Sequence, residues 1–331
     1  MRVIRALVRA LVVLAVVAAV SCLYLAYAPA GDGAAHPFNH DRNAVWLEHR
    51  WLEKPHTTEE MEQLFRFLDH HGIVYVYPHL IPFDSAGRLP LHSRDQMRAF
   101  LATARRVAPG MKLLPWVGGL RVGYKRSRPG TIDLGDLGQR QRMVAECRGL
   151  MDEGFDGIHV NVEPVASGDD DFLSLLRALR PAVGSGLLSL SATRPGPVAL
   201  AFAPNFFWTP EYYSRLGDVA DQVVVMSYDT ALPTRSLYRR YVSYAAAVVT
   251  GIYVRSSRTR VLVGIPTYKD ASLMHRKGVE TPENAFLGVV AGMRGRGGGG
   301  TFEGVALYAE WTTDPADWSV YERVWRGHTV P

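Results

Sequence analysis

Between residues 44 and 311, eight short runs rich in Val, Ile, Leu, Tyr and Trp alternate with longer stretches whose apolar residues recur at helical spacing. Strands separated by helices pair in parallel, because each helix returns the chain to the end of the sheet from which the strand set out. The expected strands are Ala44–Glu48, Ile73–His79, Lys112–Val117, Gly157–Glu163, Leu187–Thr193, Gln222–Tyr228, Arg260–Tyr268 and Gly304–Trp311. The expected helices are Thr57–His71, Ser93–Val107, Leu137–Glu153, Asp169–Pro181, Pro210–Leu216, Leu237–Tyr253, Thr281–Arg294 and Pro315–Trp325. Eight such units close on themselves, so the fold class expected is α/β, a (β/α)8 TIM barrel in a single domain. The rival is an open doubly wound sheet, which usually carries a Gly-rich phosphate turn after its first strand. None stands there, and Arg294–Gly300 (RGRGGGG) follows a helix and reads as a flexible connection.

Ahead of the barrel, Ala10–Ala28 carries no charge and is about as long as a helix that crosses a bilayer. Arg2, Arg5 and Arg9 precede it, which places the remainder on the extracytoplasmic side. Residues 1–30 are expected to be a signal anchor or signal peptide, 31–42 a linker and 43–331 the barrel. Retention in the cell membrane as a single-pass anchor is favoured, since the apolar cores of cleaved signals are usually shorter. Cleavage after Ala28 or lipidation at Cys22 leaves the barrel on the same side.

The formal charge of +5 falls to +2 once the three N-terminal arginines are set aside, so nucleic acid is not an expected partner. The two cysteines, Cys22 and Cys147, support neither a disulfide framework nor a cysteine-based zinc site. Asp169-Asp170-Asp171 falls at a helix start, where acids complement the dipole, and His70-His71 falls at a helix end. No metal site is expected, and no G-x-S-x-G nucleophile elbow is present.

The fourth strand, FDGIHVNVEP, carries the chemistry. Side chains alternate along a strand, so Ile158, Val160 and Val162 share one face while His159, Asn161 and Glu163 share the other. The apolar face suits the surrounding helices. The polar face then points into the barrel and ends in Glu163 at the C-terminal rim, where active sites of this fold lie. Partial desolvation there raises a glutamate's pKa and equips it as a general acid.

The same segment resembles the D-x-x-D-x-D-x-E signature of glycoside hydrolase family 18. Asp156 and Glu163 match its ends, while His159 and Asn161 replace its second and third Asp. VVVMSYD (Val223–Asp229), VGIPTY (Val263–Tyr268) and ALYAEW ending in Trp311 are similar to that family's sixth, seventh and eighth strands, in family order. The resemblance implies hydrolysis of a polysaccharide containing N-acetylhexosamine by a substrate-assisted retaining route, without metal or organic cofactor. It implies that Glu163 is the acid/base, that Asn161 orients the acetamido group and that Tyr228 assists. Asp229, Trp311, His159 and Asp156 are carried over as substrate-binding, with Trp311 beneath the ring. The Asn-x-Glu pair is similar to that of family 85. A neutral amide steadies a cation less than a carboxylate does, which keeps open the alternative of a catalytically inactive glycan-binding barrel. Trp116, Trp208 and Tyr268 are further candidates for stacking on sugar rings, or for filling the barrel.

Overall fold

The computed structural model describes residues 36–90, 93–121, 131–196, 203–254, 258–294 and 300–328. The apolar run Ala10–Ala28, Cys22 and the Gly-rich residues 295–299 lie outside the described residues. Among the described residues no helix is long and apolar enough to cross a membrane.

Among the described residues ten strands form one sheet in which every pairing is parallel. They are β1 (Asn43–Leu47), β2 (Ile73–Pro78), β3 (Lys112–Leu113), β4 (Trp116–Arg121), β5 (Thr131–Ile132), β6 (Gly157–Glu163), β7 (Leu187–Ala192), β8 (Gln222–Met226), β9 (Arg260–Pro266) and β10 (Phe302–Tyr308). Their order is β3-β2-β1-β10-β9-β8-β7-β6-β4-β5. The order ends in β3 on one side and in β4 with the two-residue β5 on the other, and β3 and β4 are one stretch of chain parted at Leu114-Pro115. Proline has no N–H for a ladder, so pairing lapses there. β3 bonds to β2 and β4 to β6, and the Leu113 and Pro115 carbonyls accept from Asp156 N at 2.9 Å and His159 N at 3.0 Å. The sheet is thereby curled into a parallel barrel. The expected third strand, Lys112–Val117, is split by Pro115 and runs on to Arg121.

Long helices separate most of these strands, each started by a polar cap. Thr57 caps Thr58–His70 in a capping box with Glu60. Asp169 caps Asp170–Val183, accepting from Phe172 N at 2.9 Å, so the acidic cluster opens a helix as expected. The outward side chains Val45, Val76, Val160, Val223, Val263 and Val305 are buried beneath the helices. Inside the barrel, Trp46, Tyr75, Tyr77, Leu114, Val224 and Leu262 form a second cluster with Ala44 and Ala306. Bulky and small residues are combined so that side chains fill the interior. Asn43 fastens the closure, its Oδ1 accepting from Val305 N at 3.1 Å and Trp325 Nε1 at 2.9 Å.

Candidate active site

β6 presents its side chains as the alternation requires. Ile158, Val160 and Val162 are buried under the helices, while His159, Asn161 and Glu163 enter the barrel. The inward row has three environments, and they decide what each residue can do.

His159 is fully buried. Its Nδ1 meets Ser189 Oγ at 2.8 Å, its Nε2 meets Ser191 Oγ at 2.9 Å, and Trp46 Nε1 donates to Nε2 at 3.1 Å. Tyr77 stacks on its ring at 4.0 Å and donates its hydroxyl to Gln222 Oε1 at 2.6 Å. Burial pushes the imidazole pKa down to about 3, so it stays neutral. His159 therefore lies beneath the cleft as part of an internal polar network, out of reach of substrate.

Asn161 lies one step nearer the rim. A Cβ on Gly118, its partner across the β4–β6 ladder, would stand 1.6 Å from the Asn161 carbonyl oxygen, so glycine is required there. The Asn161 amide donates towards Glu163. Its Oδ1 is buried and has no hydrogen-bond partner.

Glu163 ends β6 and lines a cleft of about 290 Å³ with Asn161, Arg194, Phe206, Met226, Tyr228, Asp229 and Tyr308. Its carboxyl group is open to the cleft yet crowded by protein on the remaining sides. That desolvation, aided by the Asp229 charge, raises its pKa against the opposing effects of Asn161 and Arg194.

After β8 the chain turns sharply through Tyr228 and Asp229. The Tyr228 ring is buried and stacks on Tyr308 at 5.2 Å and 16°. Gly264 on β9 makes room for it, since a Cβ there would stand 3.1 Å from Tyr228 Cε1. Burial keeps the Tyr228 hydroxyl protonated, as a hydrogen-bond donor. Asp229 adopts a left-handed conformation with φ of 54°, and its Oδ1 accepts from Tyr268 Oη at 2.8 Å. Its N–H donates to Glu280 Oε2 at 2.7 Å, and Arg194 Nη1 donates to the Tyr228 carbonyl at 2.6 Å.

Asp229, His275 and Glu280 have potential metal-ligating atoms within 4.8 Å of one another. Glu280, however, accepts from Asp229 N, Thr230 N and Thr230 Oγ1. Its oxygens are thus engaged in bracing the turn.

Several expected site residues have other positions. Asp156 precedes β6 at the opposite end of the barrel, where Arg105, Lys112 and Leu113 N hold its carboxylate. Seven strand residues, about 23 Å of rise, separate it from the rim, so it is an anchor of β6 and no substrate ligand. Trp208 is 1% exposed and donates to the Val165 carbonyl at 2.8 Å, which makes it core. Trp311 belongs to a 3-10 turn, Glu310–Thr312, beyond the end of β10. It is 39% exposed, with its ring 5.9 Å from Tyr308, and the aromatic wall of the cleft is Tyr308 instead. Trp116 stacks on His79 at 3.9 Å inside the barrel mouth and does not line this cleft. Tyr268 braces Asp229. Glu48 and Glu310, acids near the rim, both pair with Arg50, at 3.0 and 3.5 Å. Tyr308, Phe206 and Arg194 complete the cleft, and alternation alone does not single them out: Phe206 lies in a loop, and Arg194 just beyond the end of β7.

The parallel barrel, with acids and aromatics gathered at the C-terminal ends of its strands, has the plan shared by many TIM-barrel enzymes. Its fold is similar to that of the C-terminal domain of a protein described as a chitinase from Desulfitobacterium hafniense, with a TM-score of 0.61 and 15% identity over 87% of this chain and 99% of that one. It is similar to the spore cortex-lytic enzyme SleL of Bacillus cereus, with a TM-score of 0.56 and 12% identity over 86% and 74% of the two chains. A family 18 chitinase from Chromobacterium violaceum has a TM-score of 0.52 and 15% identity over 89% and 84%. The sequence matches no protein-family model and no curated protein. At these identities the likeness is one of fold, a chitinase-like barrel.

Proposed function

We propose that the protein is a glycoside hydrolase that cleaves N-acetylhexosamine-containing glycan by substrate-assisted retention. The observation that carries this reading is the orphaned Asn161 Oδ1, a buried acceptor beside Glu163. Buried polar atoms without partners are rare and costly. An acetamido N–H on the substrate is the donor that this oxygen lacks.

In the proposed reaction Asn161 holds that N–H, and the acetamido oxygen attacks the anomeric carbon as the glycosidic C–O bond breaks. Glu163 gives its proton to the departing oxygen, in keeping with its raised pKa. Tyr228 donates towards the acetamido oxygen, and Tyr308 offers an apolar wall to the ring. Water then attacks the anomeric carbon of the cyclised sugar, the bond from that carbon to the acetamido oxygen breaks to restore the amide, and the Glu163 carboxylate takes the proton of the water. The alternative, a glycan-binding barrel without turnover, draws support from the neutral His159 and Asn161 in positions where the family signature has acids.

The apolar Ala10–Ala28 run and the arginines before it support tethering to the cell membrane, residues 43–331 forming an extracytoplasmic barrel. A cyclic thiazoline analogue of the intermediate tests the reaction route. Competitive inhibition of the full-length protein is expected, and turnover of N-acetylated glycan that this analogue leaves untouched refutes substrate assistance.

A further inference from the structure

Arg194 follows β7 and stands half-buried in the wall of the cleft. Its bond to the Tyr228 carbonyl and its position 5.6 Å over the Phe207 ring hold the guanidinium in place. A guanidinium has five N–H donors, and the Tyr228 carbonyl is the one acceptor it has among the described residues. Glu163 and Asp229 share the cleft, and the Arg194 charge acts on Glu163 through space without a direct ion pair to either acid. A neutral glycan would offer this fixed cation no charged partner.

We propose that the cleft reads an acidic glycan, with Arg194 as the specificity-determining residue that binds a carboxylate on the sugar beside the N-acetylhexosamine. The planar guanidinium fork matches a carboxylate in shape and in charge. This inference rests on the reading of the cleft as a glycan site. The carboxylate could belong to a uronic acid or to the lactyl ether of a muramic acid, and the chemistry at Arg194 is the same.

The test is calorimetric titration of full-length protein carrying Glu163→Gln, so that binding is read without turnover. One arm uses an oligosaccharide alternating N-acetylglucosamine and glucuronic acid, the other N-acetylglucosamine and N-acetylmuramic acid, each beside its carboxyl-reduced form. About ten-fold or tighter binding of the acid over its reduced form is expected in at least one arm, which identifies the source. Adding Arg194→Gln should bring that ratio close to one, and Arg194→Lys should restore part of it. Equal affinities within both pairs, a ratio that survives Arg194→Gln, or no binding in either arm overturns the proposal. Failure of the hydrolase reading is distinguishable: no glycan would be cut by the native protein, yet the Arg194-dependent ratio would persist.

Discussion

Arg194 and Glu280 hold opposite ends of a single peptide unit. Arg194 Nη1 donates to the Tyr228 carbonyl at 2.6 Å, and Glu280 Oε2 accepts from the Asp229 N–H at 2.7 Å. The two residues lie far apart in sequence, one after β7 and the other before the helix Pro282–Arg294. Between them they fix the turn that places Tyr228 and Asp229 in the cleft, including the left-handed φ of 54° at Asp229.

Glu280 is 2% exposed and accepts from two backbone N–H groups and a hydroxyl. Removing it orphans those donors. Glu280→Ala should destabilise the protein by about 2–5 kcal/mol in urea titration. Glu280→Gln, which retains one acceptor oxygen, should lose less stability and show a larger fall in kcat than rise in KM. Unchanged stability in Glu280→Ala would show that the turn is held by other contacts.

Asn161 is predicted to trade stability for function. Because its Oδ1 is buried without a partner, Asn161→Ala should leave the melting temperature unchanged or higher. Turnover should fall about 10²–10³-fold. Asn161→Asp should place a second charge beside Glu163, raise its pKa further and move the basic limb of the pH–rate profile to higher pH. A marked loss of stability in Asn161→Ala contradicts the assignment of the orphaned oxygen to substrate.

The fold was legible because strand and helix periodicities alternate without interruption and β6 carries its polar residues on a single face. What could not be read locally was decided by packing. Pro115 splits the third strand because a ladder needs its missing N–H. Two indoles at chain positions suited to sugar stacking have opposite surroundings: Trp208 is sealed against Val165 while Trp311 faces solvent, and exposure depends on neighbours distant in sequence. In sequence terms Glu48 and Glu310 could each pair with Arg50 or with Arg194, and packing gives both to Arg50.

His159 links stability to pH. Its folded pKa of about 3 lies below the unfolded value of about 6.5, so the unfolded chain binds the proton first on acidification. The stability it contributes is fully present above about pH 6.5 and is lost progressively as pH falls towards about 3, by at most about 1.4 kcal/mol per pH unit. Melting temperatures between about pH 6.5 and pH 4 should decline less steeply in His159→Gln than in the native protein, whatever the absolute loss from the broken network. Identical slopes would mean that another group, such as His79, dominates this range.

The aromatic residues separate by burial. Trp208→Ala should cost about 3–5 kcal/mol of stability, as a large side chain lost from the core. Trp311→Ala should change stability by no more than about 0.5 kcal/mol. Tyr308→Ala should weaken glycan binding more than Trp311→Ala does, as titration of each variant with the same oligosaccharide would show.

The central claim is that Glu163 is the proton donor of a glycosidase, and it is tested most directly by turnover of aryl β-N-acetylglucosaminide oligomers by the full-length protein beside Glu163→Gln. The account predicts measurable release of the aryl group by the native protein, a fall of about 10²–10⁴-fold in the variant, and glycan binding retained in both. Equal turnover by the two proteins, or binding without turnover across a panel of acidic and neutral N-acetylated glycans, would contradict it.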